Sequence, residues 1–598
     1  MCHRLQSVLV LFLFTLRAAA WDSLPTVDLA RLHPSDFRDT ELDMPFYLAH
    51  FRELAGSVVE QGPERGFINL PVWRSVRDNQ PYNSRIMESI LSLAYFYALD
   101  RPWNPYHASP ALRQRLEASL EYWLRQQSPE GRFAEAAPGR FNLAATAFST
   151  KFIGQTLTYL QNGPPTDPDL LKRVIAADRK TIHLVLTAPD LVKYGAFVSN
   201  QYTNVFAGGF AFLKLYPDPE IETLLQKRFA DGMHEHQSPA GYFYEEDGPD
   251  FEYDLFTHQN NLAMAWDYVR GTPQGKLIVD QEHKWFTWLS YNAVPNGDWS
   301  SWILNQGIGT RTRRDAIPGK DVPAGEMVPE ERAFATSQEA LKADVAAERQ
   351  QLEFLWPRVP ALVPGTYSPY AFVLRDHRSW FPTEAQREEA RRQLPYVARK
   401  EFNHQLADDR HPLVFTYVRR PHYYAAFGAG KQLSTNHQQR YGLGLLWNED
   451  MGAVLVTQSG SSTAAWGTLA EGAQQVYEAA GVTADYRVLN NAVQPKPGSQ
   501  DLPQGVLTIT YPLGTQGEKK LEFRDDAIVV TIRHPGQFTE IVPLLQAGDD
   551  PPTGFAVKVE GPAPMTRVAT DTLVGGRKLS VVRIEAKDAL TYRLQFSQ

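Results

Sequence analysis

From about Tyr82 to about Val269, apolar residues recur at helical spacing in segments of several turns, separated by short breaks rich in Pro, Gly and Asp. The segments "SRIMESILSLAYFYAL", "SPALRQRLEASLEYWLRQQ", "FNLAATAFSTKFIGQTLTYL", "DPDLLKRVIAADRKTIHLVL", "NVFAGGFAFLKLYPD" and "DPEIETLLQKRFADGMHEH" follow one another in this way. Several open on a capping residue, as Ser109 and Asp218 do. Successive antiparallel helices build either a solenoid or a closed α/α toroid, and the absence of a fixed repeat period favours the toroid. Residues 310–350 combine a polar Pro- and Gly-containing loop with a charged helix and read as a connection. From His411 onward the period falls to two, in short alternating runs such as "HPLVFTYVRR", "GLGLLWNED", "KKLEFRDDAIVVTIRH" and "LSVVRIEAKDALTYRLQFS". The pattern predicts an N-terminal α/α toroid, an incomplete barrel of helical hairpins, over 21–365, with a connecting segment near 310–365. A mainly antiparallel β-sandwich follows over 366–598.

Length agrees with this division, because 598 residues exceed what one hydrophobic core supports. An apolar fraction of 43% and a charged fraction of 21% are those of a folded chain, and a formal net charge of −8 argues against nucleic acid as a partner. The start, "MCHRLQSVLVLFLFTLRAAAWDS", has a short basic region, an apolar run and small residues at Ala18–Ala20. It reads as a signal peptide over 1–20, which predicts a secreted or periplasmic protein with no stable membrane insertion after cleavage. The one cysteine, Cys2, leaves with that segment, so neither disulfides nor thiol chemistry is expected of the mature chain.

Chemistry-bearing residues concentrate in "GYFYEEDGPDFEYDLFTHQNNL", residues 241–262, where a loop runs into a helix. The two histidines of "HEH", His234 and His236, stand at i, i+2, which does not place both rings on one helical face, and no metal site is expected there. The acids between Glu245 and Asp254 lack the regular spacing of a calcium loop; solvated charge is the plainer reading, with a structural calcium left open. Paired carboxylates of a glycoside hydrolase are a second alternative, since that chemistry needs only two acids at a suitable separation. A glycan-binding protein without activity is a third.

A toroid followed by a large β-sandwich resembles the polysaccharide lyases of the heparinase, hyaluronan/chondroitin and alginate lyase type. "SNQYTNVFAGGFAFLKLYPD" is similar to their asparagine-bearing helix, and "GYFYEEDGPDFEYDLFTHQNNLA" to the loop and helix that carry their catalytic tyrosine. The chain departs from that pattern where Gln201 and Tyr202 follow the asparagine in place of a histidine, and "STNHQQRYGLGL" is the nearest counterpart of the histidine motif in the β domain. The resemblance implies an anionic polysaccharide as substrate. Such lyases remove the C5 proton of a uronate and expel the glycosidic oxygen from C4, which requires donors for the carboxylate, a base and an acid. It implies Asn200 as the neutralising donor, supported by Arg440, Asn260 or Asn261. Tyr253 is implied as acid or as base, with His258 or His437 as alternative bases.

Each residue has a plainer role open to it. Asn200 stands where a helix cap would, Tyr253 can be a core tyrosine, and His258, some 140° around a helix from Tyr253, need not share its face. Tyr202 and Tyr441 are candidate sugar contacts, and Arg419 and Arg420 a candidate grip on an anionic chain, unless they merely protect an edge strand. The cleft is expected on the toroid face next to the β domain, formed by the loop before Tyr253, the helix start at Asn200 and the segment around His437.

Overall fold

The computed structural model describes residues 21–71, 75–317, 327–362, 368–375, 377–431, 433, 439–460, 463–473, 478–479, 481–546 and 553–597. The leader expected at 1–20 and His437 lie outside the described residues.

The N-terminal half is an incomplete α/α toroid. Its helices are α1 (Met44–Gly56), α2 (Ile90–Ala98), α3 (Pro110–Gln126), α4 (Leu143–Gln161), α5 (Pro168–Thr187), α6 (Pro189–Phe197), α7 (Ser199–Tyr202), α8 (Asn204–Leu215), α9 (Pro219–Glu235), α10 (Phe251–Tyr253), α11 (Gln259–Val269) and α12 (Pro273–Asn292). The caps follow the sequence: Ser109 Oγ accepts the Leu112 N–H at 3.4 Å, and Asp218 Oδ1 accepts from Glu220 and Ile221 at 3.1 Å. The toroid begins and ends beyond the periodic window, because α1 and α12 flank it. Helix α4 packs against α2, α5 and α8, and α8 in turn against α11.

A linker over 327–398 folds back across the toroid with α13 (Ser337–Ala343), α14 (Val345–Leu355), α15 (Glu384–Arg392) and α16 (Pro395–Ala398). Ion pairs fix it to the N-terminal segment: Arg349 to Asp39 at 2.6 Å, and the half-buried Arg375 to Asp43. Within 368–398 the described residues form helical turns and the helices α15 and α16, and the strands of the β domain start at Phe402.

Beyond it lies the antiparallel β domain. Phe402–Asp408, Leu413–Arg420, Tyr423–Gly430, Gly442–Asn448 and Gly452–Val456 form a meander. The 19-residue strand Ala527–Leu545 joins the two parts of the sandwich. Its first half pairs with Gly517–Phe523 and its second with Gly467–Ala470, while Arg577–Phe596 runs along its length across a bulge at His534/Gln537.

Two hydrophobic cores result. One fills the first half of the toroid, from Leu24 to Phe372. The other is shared by the second half of the toroid and the sandwich, so that Trp288 of α12 stacks on Phe251 at 5.0 Å and meets Phe415 of the meander edge-on at 6.4 Å.

Candidate active site

The loop that opens on Gly241 folds as a tight hairpin. Glu246 and Asp247 take φ of 57° and 65° between the bridged pair Glu245 and Gly248, a backbone that turns the Glu245 side chain inward. Asp250 then caps α10, accepting the N–H groups of Glu252 at 3.1 Å and Tyr253 at 3.0 Å. It also accepts the backbone N–H groups of Arg311 at 3.1 Å and Thr312 at 2.7 Å, which tie the 310–314 loop to the helix start.

After Tyr253 the chain makes a π-helical turn, Asp254–His258, before α11; such turns recur at functional sites. Tyr253, Phe256, Thr257 and Asn260, at i, i+3, i+4 and i+7, form one face and line a cleft of about 890 Å³. Asp254, His258 and Asn261 occupy the other face and are buried. The cleft opens between the two cores. Asn200, Gln201 and Arg311 complete this wall, Arg85, Glu135 and Phe148 come from the first half of the toroid, and Tyr370, Arg375 and Arg378 from the linker.

Asn200 contributes an unengaged amide. Its backbone is held, since its N–H donates to Glu245 Oε1 at 2.8 Å and its carbonyl accepts from Asn261 Nδ2 at 3.0 Å. Its side chain makes no hydrogen bond among the described residues, and Oδ1 is buried without a partner. The Tyr253 hydroxyl likewise has no protein partner among them, while the Arg311 guanidinium lies over the Tyr253 ring at 3.9 Å and pairs with Glu245. Burial raises the Tyr253 pKa; Arg311 opposes this, and Asp250, Glu245 and Glu252 reinforce it. A phenol so placed keeps its proton and is suited to donating it.

The structure brings together Asn200, Tyr253 and Asn260, and separates the other candidates. His258 is not a base facing the cleft. It is stacked on Phe243 at 3.6 Å with Nδ1 3.2 Å from Ser199 Oγ, and burial drives its pKa well below the ordinary histidine value. Tyr202 is a core residue whose hydroxyl donates to the Val185 carbonyl at 3.2 Å, rather than a sugar contact. Asn261 is buried behind Asn200 and supports it from there, bonding its carbonyl as well as Thr203 Oγ1 at 3.0 Å.

Arg419 and Arg420 are not exposed to the cleft or to solvent. Both are buried, Arg419 donating to the carbonyls of Tyr396 and Tyr423, Arg420 to those of Phe402 and Gly505 and to Asn403. Arg440 donates to the Gln439 carbonyl at 2.8 Å, Tyr441 to the Lys431 carbonyl at 3.1 Å, and neither lines the cleft. None of the described residues of the β strands lines it either. Leu433 and Gln439 of that domain approach Gly248 behind the Glu245–Gly248 turn, and residues of the linker line the cleft.

Acids of 245–254 meet protein partners. Glu245 and Glu246 meet Arg311, Asp247 meets His411, Glu252 meets Arg314, and Asp254 accepts from Trp285 Nε1 at 3.1 Å. Among the described residues, no group of three or more His, Cys, Asp or Glu side chains is placed to hold a metal ion. Sequence reasoning missed Arg311 and the linker residues. The run "TRTRR" at 310–314 was the available signal for Arg311, on a chain otherwise acidic.

No protein-family profile matches the chain, and no curated protein matches it in sequence. Among solved structures it is similar to a chondroitin AC lyase from Streptomyces coelicolor A3, with a TM-score of 0.51 and 12% identity over 93% of this chain and 79% of that one. It is also similar to the heparan sulfate lyase HepC from Pedobacter heparinus, with a TM-score of 0.46 and 10% identity over 92% and 83%. The chain has a polysaccharide lyase-like fold, an α/α toroid followed by an antiparallel β-sandwich. No helix among the described residues is long and apolar enough to cross a membrane.

Proposed function

We propose that the protein is a secreted polysaccharide lyase that cleaves a uronic-acid-containing polysaccharide by β-elimination. The observation that carries this reading is the pairing, on one cleft, of an Asn200 amide and a Tyr253 hydroxyl that have no side-chain partner among the described residues, with the Tyr253 ring under a guanidinium. The uronate carboxyl meets the Asn200 amide and Arg311, which stabilise the charge that develops as the C5 proton leaves. Tyr253 donates its proton to the departing glycosidic oxygen. Asn260, whose side chain also makes no hydrogen bond among the described residues, borders the same space and contacts the sugar.

Incubation with alginate, glucuronan, hyaluronan, chondroitin and heparan sulfate tests this. Ultraviolet absorbance of a new C4–C5 double bond is the expected product signal. New reducing ends without that absorbance make the protein a hydrolase, and retention of a polymer without cleavage makes it a binding protein. Amino-terminal sequencing of the exported protein tests cleavage after Ala20.

A further inference from the structure

Lys151, at the middle of α4, has no exposed surface. Its Nζ donates to Asn261 Oδ1 at 2.8 Å and lies 2.9 Å from the Tyr370 hydroxyl. The rings of Phe148, Phe152 and Tyr370 surround it at 4.5 to 4.9 Å. Tyr370 belongs to the linker turn Pro369–Phe372 and lines the same cleft as Tyr253. Asn261 bonds the Asn200 carbonyl with its other end, so two hydrogen bonds connect Lys151 to the neutralising residue.

Charged groups facing Lys151 are Arg85 and Glu88 of the turn Ser84–Ser89, which pair with each other; the one lysine of α8, Lys214, lies away over the Tyr268 ring. Burial drives the Lys151 pKa well below the ordinary lysine value, with Glu88 opposing and Arg85 reinforcing the shift. Burial thus favours the neutral amine, the form that can accept a proton.

We propose that Tyr370 and Lys151 form the proton-abstracting relay of this reaction, the Tyr370 oxygen taking the C5 proton as its own hydroxyl proton passes to the Lys151 amine. This rests on the lyase reading above. The C5–H electron pair becomes the C4–C5 double bond, and the C4–O pair leaves with the glycosidic oxygen, which takes the Tyr253 proton. Lys151 then returns its proton through Tyr370 to solvent, and solvent reprotonates Tyr253. Tyr253 and Tyr370 divide the work, since carboxylates lie near Tyr253 and an amine meets Tyr370.

A uronide carrying fluoride at C4, a leaving group that needs no proton, separates the two roles. Tyr253→Phe is expected to recover at least about tenfold relative to its defect on polymer, whereas Tyr370→Phe and Lys151→Met stay about a hundredfold or more below the parent in kcat on both substrates. Lys151→Met is further expected to abolish the acid limb of the kcat/KM pH profile, which a packing defect would leave in place. Turnover of Tyr370→Phe within about threefold of the parent overturns the relay. A parent protein inactive on every uronate overturns the lyase reading instead. Nitrogen-15 NMR of Lys151 Nζ needs no substrate: a neutral amine at pH 7 is expected, and an ammonium there overturns the relay by itself.

Discussion

At the scale of single residues, Tyr253 separates catalysis from structure most cleanly. Tyr253→Phe keeps the ring under Arg311 and removes only a hydroxyl that no described protein group uses, so thermal unfolding is expected to be unchanged. Turnover is expected to fall by about 10² to 10⁴, as for loss of a general acid. A well-folded phenylalanine variant with near-parental elimination would falsify the acid role. Asn200→Ala is expected to lower kcat by about 10² to 10³, measured in the same absorbance assay, because one donor to the developing charge is lost. Tyr253 and Asn200 were legible because each sits in a local motif. Arg311 was not, because its place over Tyr253 depends on the Asp250 carboxylate catching the backbone of a distant loop. Arg419 and Arg420 misled for a related reason: a charged pair on a strand looks the same in sequence whether its guanidinium groups reach solvent or buried carbonyls.

Elements were legible where periodicity and caps agree, as in α3, α5 and α9, and less so where tertiary contacts decide. The turn after Tyr253 is π-helical, and α7 is a single turn that presents Asn200 without using it as a cap. Strand alternation in "EKKLEF" puts Lys519 on the same side as Leu521 and Phe523, and the sandwich does bury it. Its Nζ lies 2.8 Å from Glu540 and 3.4 Å from Glu478, and 3.5 Å above the Trp466 ring, while burial pushes Glu478 up to about 8. Lys519→Met strands two buried acids without their cation. It is expected to cost about 3 to 5 kcal/mol in urea denaturation, whereas adding Glu540→Gln should restore part of that loss. Equal stability of Lys519→Met and the parent would mean that the cluster is already neutral.

For the whole molecule, the two domains share one core and are keyed by polar contacts: the Tyr242 hydroxyl donates to Asp408 Oδ2 at 2.6 Å, and Asn292 Nδ2 to the Tyr417 hydroxyl at 2.6 Å. That junction encloses His236, packed edge-on against Tyr202 at 5.3 Å, and burial lowers its pKa from 6.5 to about 3. Below pH 6.5 the unfolded chain therefore takes up a proton that the folded one refuses. The contribution of this residue to stability is complete above pH 6.5 and is lost as the pH falls toward 3. Buried acids act in the opposite sense: burial raises Glu245 from 4.5 to about 8 against the pull of Arg311, so its contribution shrinks as the pH rises through that window. Acid unfolding of the parent thus mixes both signs, and a variant isolates one of them. His236→Gln is expected to be less stable than the parent at pH 7, because it disrupts ring packing, but the gap should narrow by a few kcal/mol, at about 1.4 kcal/mol per pKa unit, between pH 6.5 and 3. Reversible denaturant unfolding across that range measures the difference. A gap that stays constant with pH would show that the imidazole titrates alike in the folded and unfolded chain, and that the junction is open to water at His236.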